Sequence, residues 1–305
     1  MMAYTDRHFR YLLRLMSQHT VLYTEMVTAQ AIIHGDQPYL LNFSPSEHPA
    51  ALQLGGSDPI LLAQAARVGE QWGYDEINLN VGCPSERVQQ GCFGAALMKE
   101  VELVTDCMKR MMESVDIPVT IKTRLGVDEF EGEAFLHDFV GQVARSGCTV
   151  FIMHARKAWL NGLSPKENRE VPPLQYDRVY QLKKAFPQLE IIINGGIQTQ
   201  DAITEHLKHV DGVMLGRTVC SNPYFLATVD QQFYAENTDI KSRQQIIAAY
   251  LPYILKQYTQ GVPMRHMTRH LIGLFQGEIG ARAWRRKLSE ACDDDKQLMR
   301  AIEEI

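Results

Sequence analysis

The sequence predicts an α/β protein: a (β/α)8 TIM barrel, with its first strand missing from this chain, followed by a small all-helical domain. Short apolar runs alternate with helical periods up to about Tyr234, which is typical of parallel βαβ units. The chain has no dinucleotide-type GxGxxG motif, which favours a barrel over a doubly wound sheet. Beyond Tyr234 only helical periods continue, so we expect a barrel domain at 1–234 and a helical domain at 235–305.

Seven apolar runs of strand length are predicted as β-strands. They cover residues 22–29, 49–54, 76–81, 119–123, 150–154, 190–194 and 212–215. A closed barrel of this kind needs eight strands. The chain instead opens into an amphipathic helix that carries Phe9, Leu12 and Leu13, so the first strand is expected to lie upstream of Met1.

The helices predicted between these strands have apolar residues at a period near 3.6. The first begins after Asp58, because Asp58 followed by Pro59 is typical of an N-cap and a first helical residue. The predicted helices cover residues 58–72, 97–112, 133–144, 176–186 and 199–207, and in the helical domain 242–257, 263–275 and 281–304.

Composition excludes several classes of protein. The 305 residues are 45% hydrophobic, which excludes a disordered chain, and the longest uncharged apolar runs are strand-sized, so no membrane span is predicted. The six cysteines include no close CxxC pair, which disfavours a metal site and indicates reduced thiols in the cytoplasm. With 31 Lys and Arg against 36 Asp and Glu, the net charge is −5, so any nucleic-acid surface must be local.

Functional side chains of a (β/α)8 barrel lie at the carboxyl ends of its strands. The predicted strand ends carry amides, cations and glycines: Gln53, Asn78, Asn80, Lys122, Arg124, His154, Arg156, Asn194, Gly195, Gly196, Gly216 and Arg217. The glycines end the last two strands, where barrels frequently bind phosphate through backbone N–H groups. Tight turns without a ligand are the alternative interpretation of both glycine loops.

Lys122 and His154 each close an apolar strand, so both side chains are expected in the barrel mouth. An interior lysine is either a Schiff-base nucleophile or a fixed cation beside an anionic cofactor ring. A single histidine is often only a hydrogen-bonded core residue. Together with the glycine loops, a phosphate-bearing aromatic cofactor accounts for both residues.

Cys83 lies in a polar loop directly after a predicted strand, between Gly82 and Pro84. Thiols with a pKa of about 8.5 are mostly protonated at pH 7, which suits a general acid. An inert buried cysteine is the alternative. The position at a strand end favours a functional role.

Residues 256–287 contain seven basic residues and one acidic residue, Glu278, although the whole chain is net acidic. A solvated helical face is one explanation of this charge. The RHMTRH and RAWRRK segments place aromatic and histidine residues among the arginines, which favours binding to a nucleic-acid backbone.

A set of motifs along the chain resembles the tRNA-dihydrouridine synthase family. These motifs are TDRHFRYL, LYTEMV, ALQLGG, NLNVGCPS, IKTR, HARKAWL, GLSPKENR, NGGI and LGR. The HARKAWLNGLSPKENREVPPL stretch resembles the A subfamily, and the resemblance runs from Met1 to about Arg286. It implies an FMN-binding barrel with a helical tRNA-binding domain, in a monomeric cytoplasmic enzyme without metal.

The resemblance also implies an activity and its residues. The family reduces the C5–C6 double bond of a D-loop uridine, at position 20 or 20a in the A subfamily, with NADPH as electron source. Cys83 matches the proton donor and Asn80 a substrate contact, while tRNA contacts are expected at Lys166, Arg169, Arg282 and Arg285. The FMN contacts implied are Gln53, Lys122, His154, Asn194, Gly195, Gly196, Gly216 and Arg217.

The N-terminus departs from the family pattern. The family has a strand ending in Ala-Pro-Met before the TDRH helix, so Met1 and Met2 are interpreted as the remnant of a cofactor-binding segment. Two alternatives to the implied activity remain open at this point. One is a small-molecule FMN barrel oxidoreductase of the dihydroorotate dehydrogenase kind, which would need no basic helical domain, and the other is a tRNA chaperone without chemistry.

Overall fold

The computed structural model describes residues 1–237, 239–291 and 295–303. Eight strands occur in these ranges: β1 (Leu22–Tyr23), β2 (Val27–Thr28), β3 (Ala50–Gly55), β4 (Glu76–Val81), β5 (Val119–Arg124), β6 (Val150–His154), β7 (Glu190–Asn194) and β8 (Gly212–Met214). Six of the seven predicted strands therefore fall within a residue or so of the observed ones.

The α-helices follow the strands along most of the chain. They are α1 (Arg7–Arg14), α2 (Ala29–His34), α3 (Gln37–Leu41), α4 (Pro59–Gln71), α5 (Glu86–Gln90), α6 (Val101–Met112), α7 (Glu133–Ala144), α8 (Tyr176–Ala185), α9 (Gln200–His206), α10 (Arg217–Ser221), α11 (Val229–Phe233), α12 (Arg243–Thr259), α13 (Arg265–Thr268), α14 (Ala281–Glu290) and α15 (Asp295–Glu303). Within the part of the chain that the structure describes, no helix has the length and apolar character needed to cross a membrane.

The chain divides into two compact units. The larger one comprises Glu25–Asn42 and Ala50–Leu215, and the smaller one comprises Met1–Thr24, Phe43–Pro49 and Gly216–Ile305. The boundary between functional domains predicted at 234 and 235 stays a prediction.

Parallel strands form the centre of the larger unit. Strands β2 to β8 pair with one another in chain order, every pair is parallel, and helices lie between successive strands from β3 onward. This arrangement confirms the predicted α/β barrel class. The described residues show no pairing between β8 and β2, so the sheet of this unit is an open part of a barrel.

The core of the larger unit lies between the sheet and its helices. Leu52, Ile77 and Ile121 on three adjacent strands are fully buried. Helix α4 approaches the sheet at Gly69, where a Cβ atom would lie only 2.7 Å from side-chain carbons of Leu52 and Ile77. Helix α4 begins as predicted, because Asp58 accepts hydrogen bonds from the N–H groups of its first turn at 2.8 and 3.0 Å.

Strand register brings the polar strand ends together. Adjacent register partners in the sheet are Gln53 with Asn78, Asn80 with Lys122, Arg124 with His154, and His154 with Asn194. Because the carboxyl ends of parallel strands lie at one edge of the sheet, these side chains share that edge.

The smaller unit is built on α1 and the C-terminal helices. The ring of Tyr11 on α1 stacks on Tyr253 of α12 with a centroid distance of 3.9 Å, and Tyr250 Oη donates to the carbonyl of His8 at 3.1 Å. Helix α12 begins with a capping box in which Ser242 and Gln245 exchange hydrogen bonds.

Three predicted elements are wrong in their extent. The strand predicted at 22–29 is instead the two short strands β1 and β2, and β2 ends at Thr28, whose Oγ1 accepts a hydrogen bond from the N–H of Ala31 at 3.3 Å and caps α2. The helix predicted at 263–275 is the short α13 followed by a 3-10 turn at Arg269–Leu271. A Cβ atom at Gly273 would lie 2.4 Å from the Ser221 carbonyl oxygen, so the chain approaches another backbone there.

The third is the helix predicted at 281–304, which is divided into α14 and α15. Helix α14 ends at Glu290, and Asp295 lies in the first turn of α15, where a negative charge is favourable. Cys292 and Glu304, which fall in this predicted helical stretch, lie outside the described residues.

Candidate active site

Three side-chain amides at the ends of β3 and β4 orient one another. Gln53 Nε2 donates to Asn78 Oδ1 at 2.9 Å, and Asn80 Nδ2 donates to Gln53 Oε1 at 2.9 Å. Asn78 Nδ2 in turn donates to Thr120 Oγ1 on β5 at 2.7 Å. Each amide is therefore held in one orientation across three strands, which presents Gln53 and Asn80 at the site in a fixed geometry.

The backbone at Cys83 is held from two sides. Asn80 Oδ1 accepts the N–H groups of Gly82 and Cys83 at 3.1 and 3.0 Å. Arg124 Nε on β5 donates to the Gly82 carbonyl at 2.9 Å. The Cys83 thiol is half-buried and donates to Ser85 Oγ at 3.5 Å. These contacts hold the Cys83 loop at the carboxyl end of β4.

Arg124 also forms hydrogen bonds with a second loop, the one that follows β6. Its guanidinium donates to the carbonyls of Lys157 and Asn168 at 3.0 and 2.9 Å. Burial lowers the pKa of Arg124 to about 10, so the group remains charged at neutral pH. Arg124 therefore positions both the Cys83 loop and the loop after β6.

Lys122 places its ammonium group at the carboxyl ends of the strands. Its ammonium has no hydrogen-bond partner among the residues that the structure describes, and its register partner is Asn80 of the amide network. Burial, and to a smaller extent the neighbouring Arg124, lower the pKa of Lys122 to about 8. A cation in this position favours an anionic group of a ligand, which would replace the solvation that burial removes.

The Gly195 and Gly196 turn lies against His154. The φ angles are +119° and +68°, which side-chain-bearing residues rarely adopt. A Cβ atom at Gly195 would lie 3.2 Å from His154 Nε2, and one at Gly196 would lie 2.6 Å from Leu174 Cδ1. Tyr176 Oη donates to the Gly195 carbonyl at 2.7 Å and fixes the turn. The His154 imidazole therefore packs closely against the backbone of this turn, which leaves no room for a side chain at Gly195.

The remaining candidate contacts of the larger unit lie at the edges of this arrangement. Asn194 Nδ2 donates to the Met214 carbonyl at 2.7 Å, which orients the end of β7. Lys166 is exposed and Arg169 half-buried on the loop after β6, where a 3-10 turn covers Glu167–Arg169. Both cations therefore lie at the carboxyl edge, where a polyanionic substrate would approach.

Four predicted cofactor residues belong to the smaller unit. Gly216 precedes α10 and Arg217 is its exposed first residue. Met1 Sδ lies 3.1 Å from the position a Cβ at Gly216 would take, and the Met1 amino group donates to Thr5 Oγ1 at 2.5 Å. Met2 is exposed. Their contribution to a cofactor site stays a prediction.

The predicted tRNA contacts of the smaller unit lie on α14. Arg282 and Arg285 are exposed, whereas Trp284 and Leu288 on the same helix are buried. Trp284 Nε1 donates to the Leu271 carbonyl at 2.8 Å, which anchors the helix. The arginines are therefore presented to solvent by a fixed helix.

Sequence reasoning missed three residues that organise the loops. Asp128 accepts from Lys99 Nζ at 2.9 Å and from Leu160 N at 2.8 Å, which joins three βα loops. Gln89 and Asn168 also join distant segments. None of the three lies at a strand end, so no sequence signal separates them from ordinary loop residues.

Comparisons with known proteins identify the family of this chain. The family model for dihydrouridine synthase (Dus) matches residues 1–305. The tRNA-dihydrouridine(20/20a) synthase of Synechocystis sp. is 57% identical over 291 residues, covering 95% of this chain and 87% of the relative. The enzyme of that name from Escherichia coli (strain K12) is 56% identical over 291 residues, covering 95% of this chain and 84% of the relative.

Solved structures with low sequence identity share the fold. A 2-naphthoyl-CoA reductase complex has a TM-score of 0.57 at 11% identity, covering 74% of this chain and 47% of that one. An old yellow enzyme homologue from Zymomonas mobilis has a TM-score of 0.55 at 11% identity, covering 77% and 84%. The family model and the close relatives together establish that this chain belongs to the dihydrouridine synthases, flavin-dependent enzymes that reduce uridine to dihydrouridine.

Proposed function

We propose that this protein reduces the C5–C6 double bond of uridine 20 or 20a in tRNA, with bound FMN as cofactor and NADPH as reductant. The observation that carries the proposal is the arrangement across β4 and β5. Asn80 holds the backbone of Cys83 and lies in register with Lys122. The Cys83 thiol and the Lys122 ammonium therefore lie at the ends of neighbouring strands, which supports their proposed roles as proton donor and as cation beside the cofactor.

The residues of the larger unit fit a flavin. Lys122 would supply a positive charge for a ring that becomes anionic on reduction, and burial, which lowers the pKa of Lys122, makes a negatively charged group favourable beside it. The Gly195 and Gly196 turn, with His154 beside it, offers backbone at close approach. A bound flavin would supply the hydride that adds to C6 of the uracil.

Cys83 completes the reduction. Hydride addition at C6 leaves negative charge at C5 and O4, and transfer of the thiol proton to C5 gives the saturated ring. The thiolate then takes a proton from solvent, so the net change is addition of a hydride and a proton. The hydrogen bonds of Asn80 and Arg124 to the Gly82–Cys83 backbone hold the thiol in place for this transfer.

The target base must leave the folded tRNA to reach the strand ends, as in other enzymes that modify bases. Arg282 and Arg285 on α14, with Lys166 and Arg169 on the β6 loop, are the residues proposed to contact the tRNA backbone. The monomeric state and the cytoplasmic location expected from the sequence stay predictions.

A reconstituted reaction tests the proposal. The purified protein is supplied with FMN, NADPH and unmodified tRNA transcript, and dihydrouridine is located by nucleoside mass spectrometry and primer extension. We expect dihydrouridine at 20 or 20a, and a transcript with cytidine at those positions stays unmodified. Consumption of NADPH with a small-molecule enone or orotate, and none with tRNA, would instead favour the small-molecule alternative.

A further inference from the structure

Trp159 is a large aromatic residue held in an exposed position. It lies on the loop after β6, at the carboxyl edge of the sheet, and 37% of the residue is accessible to solvent. The fully buried Asn168 fixes its backbone from both directions. Trp159 N–H donates to Asn168 Oδ1 at 2.8 Å, and Asn168 Nδ2 donates to the Trp159 carbonyl at 2.8 Å. The indole therefore projects from a rigid backbone.

A fixed cation supports one face of the indole. Lys157 Nζ lies 4.0 Å from the ring centroid of Trp159. The same ammonium is bonded to Glu131 Oε1 at 3.0 Å and to the Asp128 carbonyl at 3.3 Å. With one face against a cation that two oxygens hold, the ring is oriented in advance of any ligand.

The Trp159 loop is bonded to the Cys83 loop. A single atom, Gln89 Nε2, donates to the carbonyl of Pro84 at 2.9 Å and to that of Leu160 at 2.7 Å. Pro84 follows Cys83 directly, and Leu160 follows Trp159 directly. The position of the indole is therefore coupled to that of the proposed proton donor.

We propose that Trp159 stacks on the base of the unpaired nucleotide next to the uridine that is reduced. This inference rests on the proposed function. Extrusion of the target uridine leaves its neighbour without a stacking partner, and aromatic rings with adjacent cations bind such bases in single-stranded RNA. Trp159 then places the target base at Cys83 by holding the nucleotide beside it.

The test combines a substitution in the protein with a deletion in the RNA. Trp159→Leu removes the aromatic ring, and Trp159→Phe keeps a smaller one. The matched control is Trp72→Leu, since Trp72 follows α4 and leads toward the opposite edge of the sheet. Each protein is titrated with unmodified tRNA and with tRNAs that lack the base on either side of the target uridine.

For intact tRNA, Trp159→Leu should weaken binding roughly 5- to 150-fold, the range expected for one stacked base. Trp159→Phe should recover most of the affinity, and Trp72→Leu should bind normally. Wild type and Trp159→Leu should have equal affinity for the tRNA that lacks the base on which Trp159 is proposed to stack. Flavin reduction by NADPH without tRNA should be unchanged in Trp159→Leu, which reports an intact fold.

The inference is overturned if Trp159→Leu lowers the tRNA affinity by the same factor for intact tRNA and for both tRNAs that lack a flanking base. It is also overturned if Trp159→Leu does not change the affinity for intact tRNA. The wild-type protein gives an independent test. If it binds both tRNAs that lack a flanking base as tightly as intact tRNA, the inference is also overturned. Binding is measured with the oxidised protein and without NADPH. Failure of the proposed function would appear separately, as wild-type protein that forms no dihydrouridine.

Discussion

Lys122 shows how one residue links folding to ligand binding. Burial lowers its pKa to about 8, below the ordinary value of about 10.4. Between these two values the unfolded chain binds more protons than the folded chain, so the contribution of Lys122 to stability rises with pH across this window. Below about pH 8 the folded protein holds a half-buried cation whose desolvation a negatively charged ligand would offset.

Replacing Lys122 should therefore weaken cofactor binding and remove its pH dependence. Lys122→Met should lower FMN affinity roughly ten- to hundredfold, because a hydrogen bond to a charged group contributes about 1.5–3 kcal/mol. Wild-type affinity should fall as pH rises from 7 to 9.5 and the ammonium loses its proton, whereas that of Lys122→Met should not. Fluorescence titration of FMN measures both.

Lys184→Met is the matched control, since Lys184 on α8 is exposed. It should bind FMN as wild type does at every pH. Equal FMN affinity in wild type and Lys122→Met would show that Lys122 does not contact the cofactor.

The sequence pattern identifies residues of the site only where a strand supplies the position. Lys122 and His154 follow apolar runs, so the sequence alone assigns both to strand ends. Asp128 has no such signal, because its partners Lys99 and Leu160 lie about thirty residues away on either side and only tertiary packing joins them. Its φ of +52° is equally invisible in sequence.

Among the elements, the turn after β7 is the one most constrained by glycine. Gly195 has a φ of +119°, and a Cβ atom added to it would lie 3.2 Å from His154 Nε2. A side chain at this position would therefore meet both backbone strain and a close contact with the imidazole. Gly132 before α7 has a φ of +102°, and a Cβ there would meet nothing within 4 Å. The two positions therefore separate backbone strain from contact with the site.

Gly132→Ala should destabilise the protein by about 1–3 kcal/mol through backbone strain and leave FMN affinity unchanged. Gly195→Ala should have at least this effect on stability and should also weaken FMN binding, because the methyl group displaces His154. Thermal unfolding and FMN titration of both variants measure the two effects. Normal FMN binding by a folded Gly195→Ala protein would remove this turn from the cofactor site.

Six of the seven strand positions were predictable from the sequence, whereas the extents of the last two predicted helices were not, for a physical reason. Buried parallel strands such as β4 and β7 require continuous apolar runs, and the runs mark their limits. Residues 263–275 have a helical period too, but Gly273 packs against the Ser221 carbonyl. This contact with a distant segment lies in the turns that follow α13, and local periodicity carries no information about it.

At the scale of the whole molecule, an acidic protein must bind a polyanion through a local surface. The net charge is −5, yet residues 256–287 carry a large excess of basic side chains. Arg282 and Arg285 face solvent on a helix anchored by Trp284, so both can be replaced without disturbing the packing.

The salt dependence of tRNA affinity tests whether this surface binds the tRNA backbone. The logarithm of the wild-type tRNA affinity should fall linearly with the logarithm of salt concentration. If both arginines contact phosphates, Arg282→Ala with Arg285→Ala should reduce the slope by about 1.5. Lys109→Ala with Arg110→Ala on α6 removes the same charge from another exposed helix and should leave the slope unchanged. Equal slopes for wild type and the α14 variant would place the tRNA surface elsewhere.

A single-turnover measurement tests whether Cys83 gives the proton that completes uridine reduction. Wild type, Cys83→Ala and Cys92→Ala are loaded with FMN, reduced by NADPH without oxygen and mixed with unmodified tRNA. Cys92, exposed in the same loop, is the matched control. We expect equal reduction of the flavin by NADPH in all three proteins, and dihydrouridine formation that is slower by a factor of roughly 10²–10⁴ only in Cys83→Ala. Dihydrouridine formation at the wild-type rate in Cys83→Ala would contradict it.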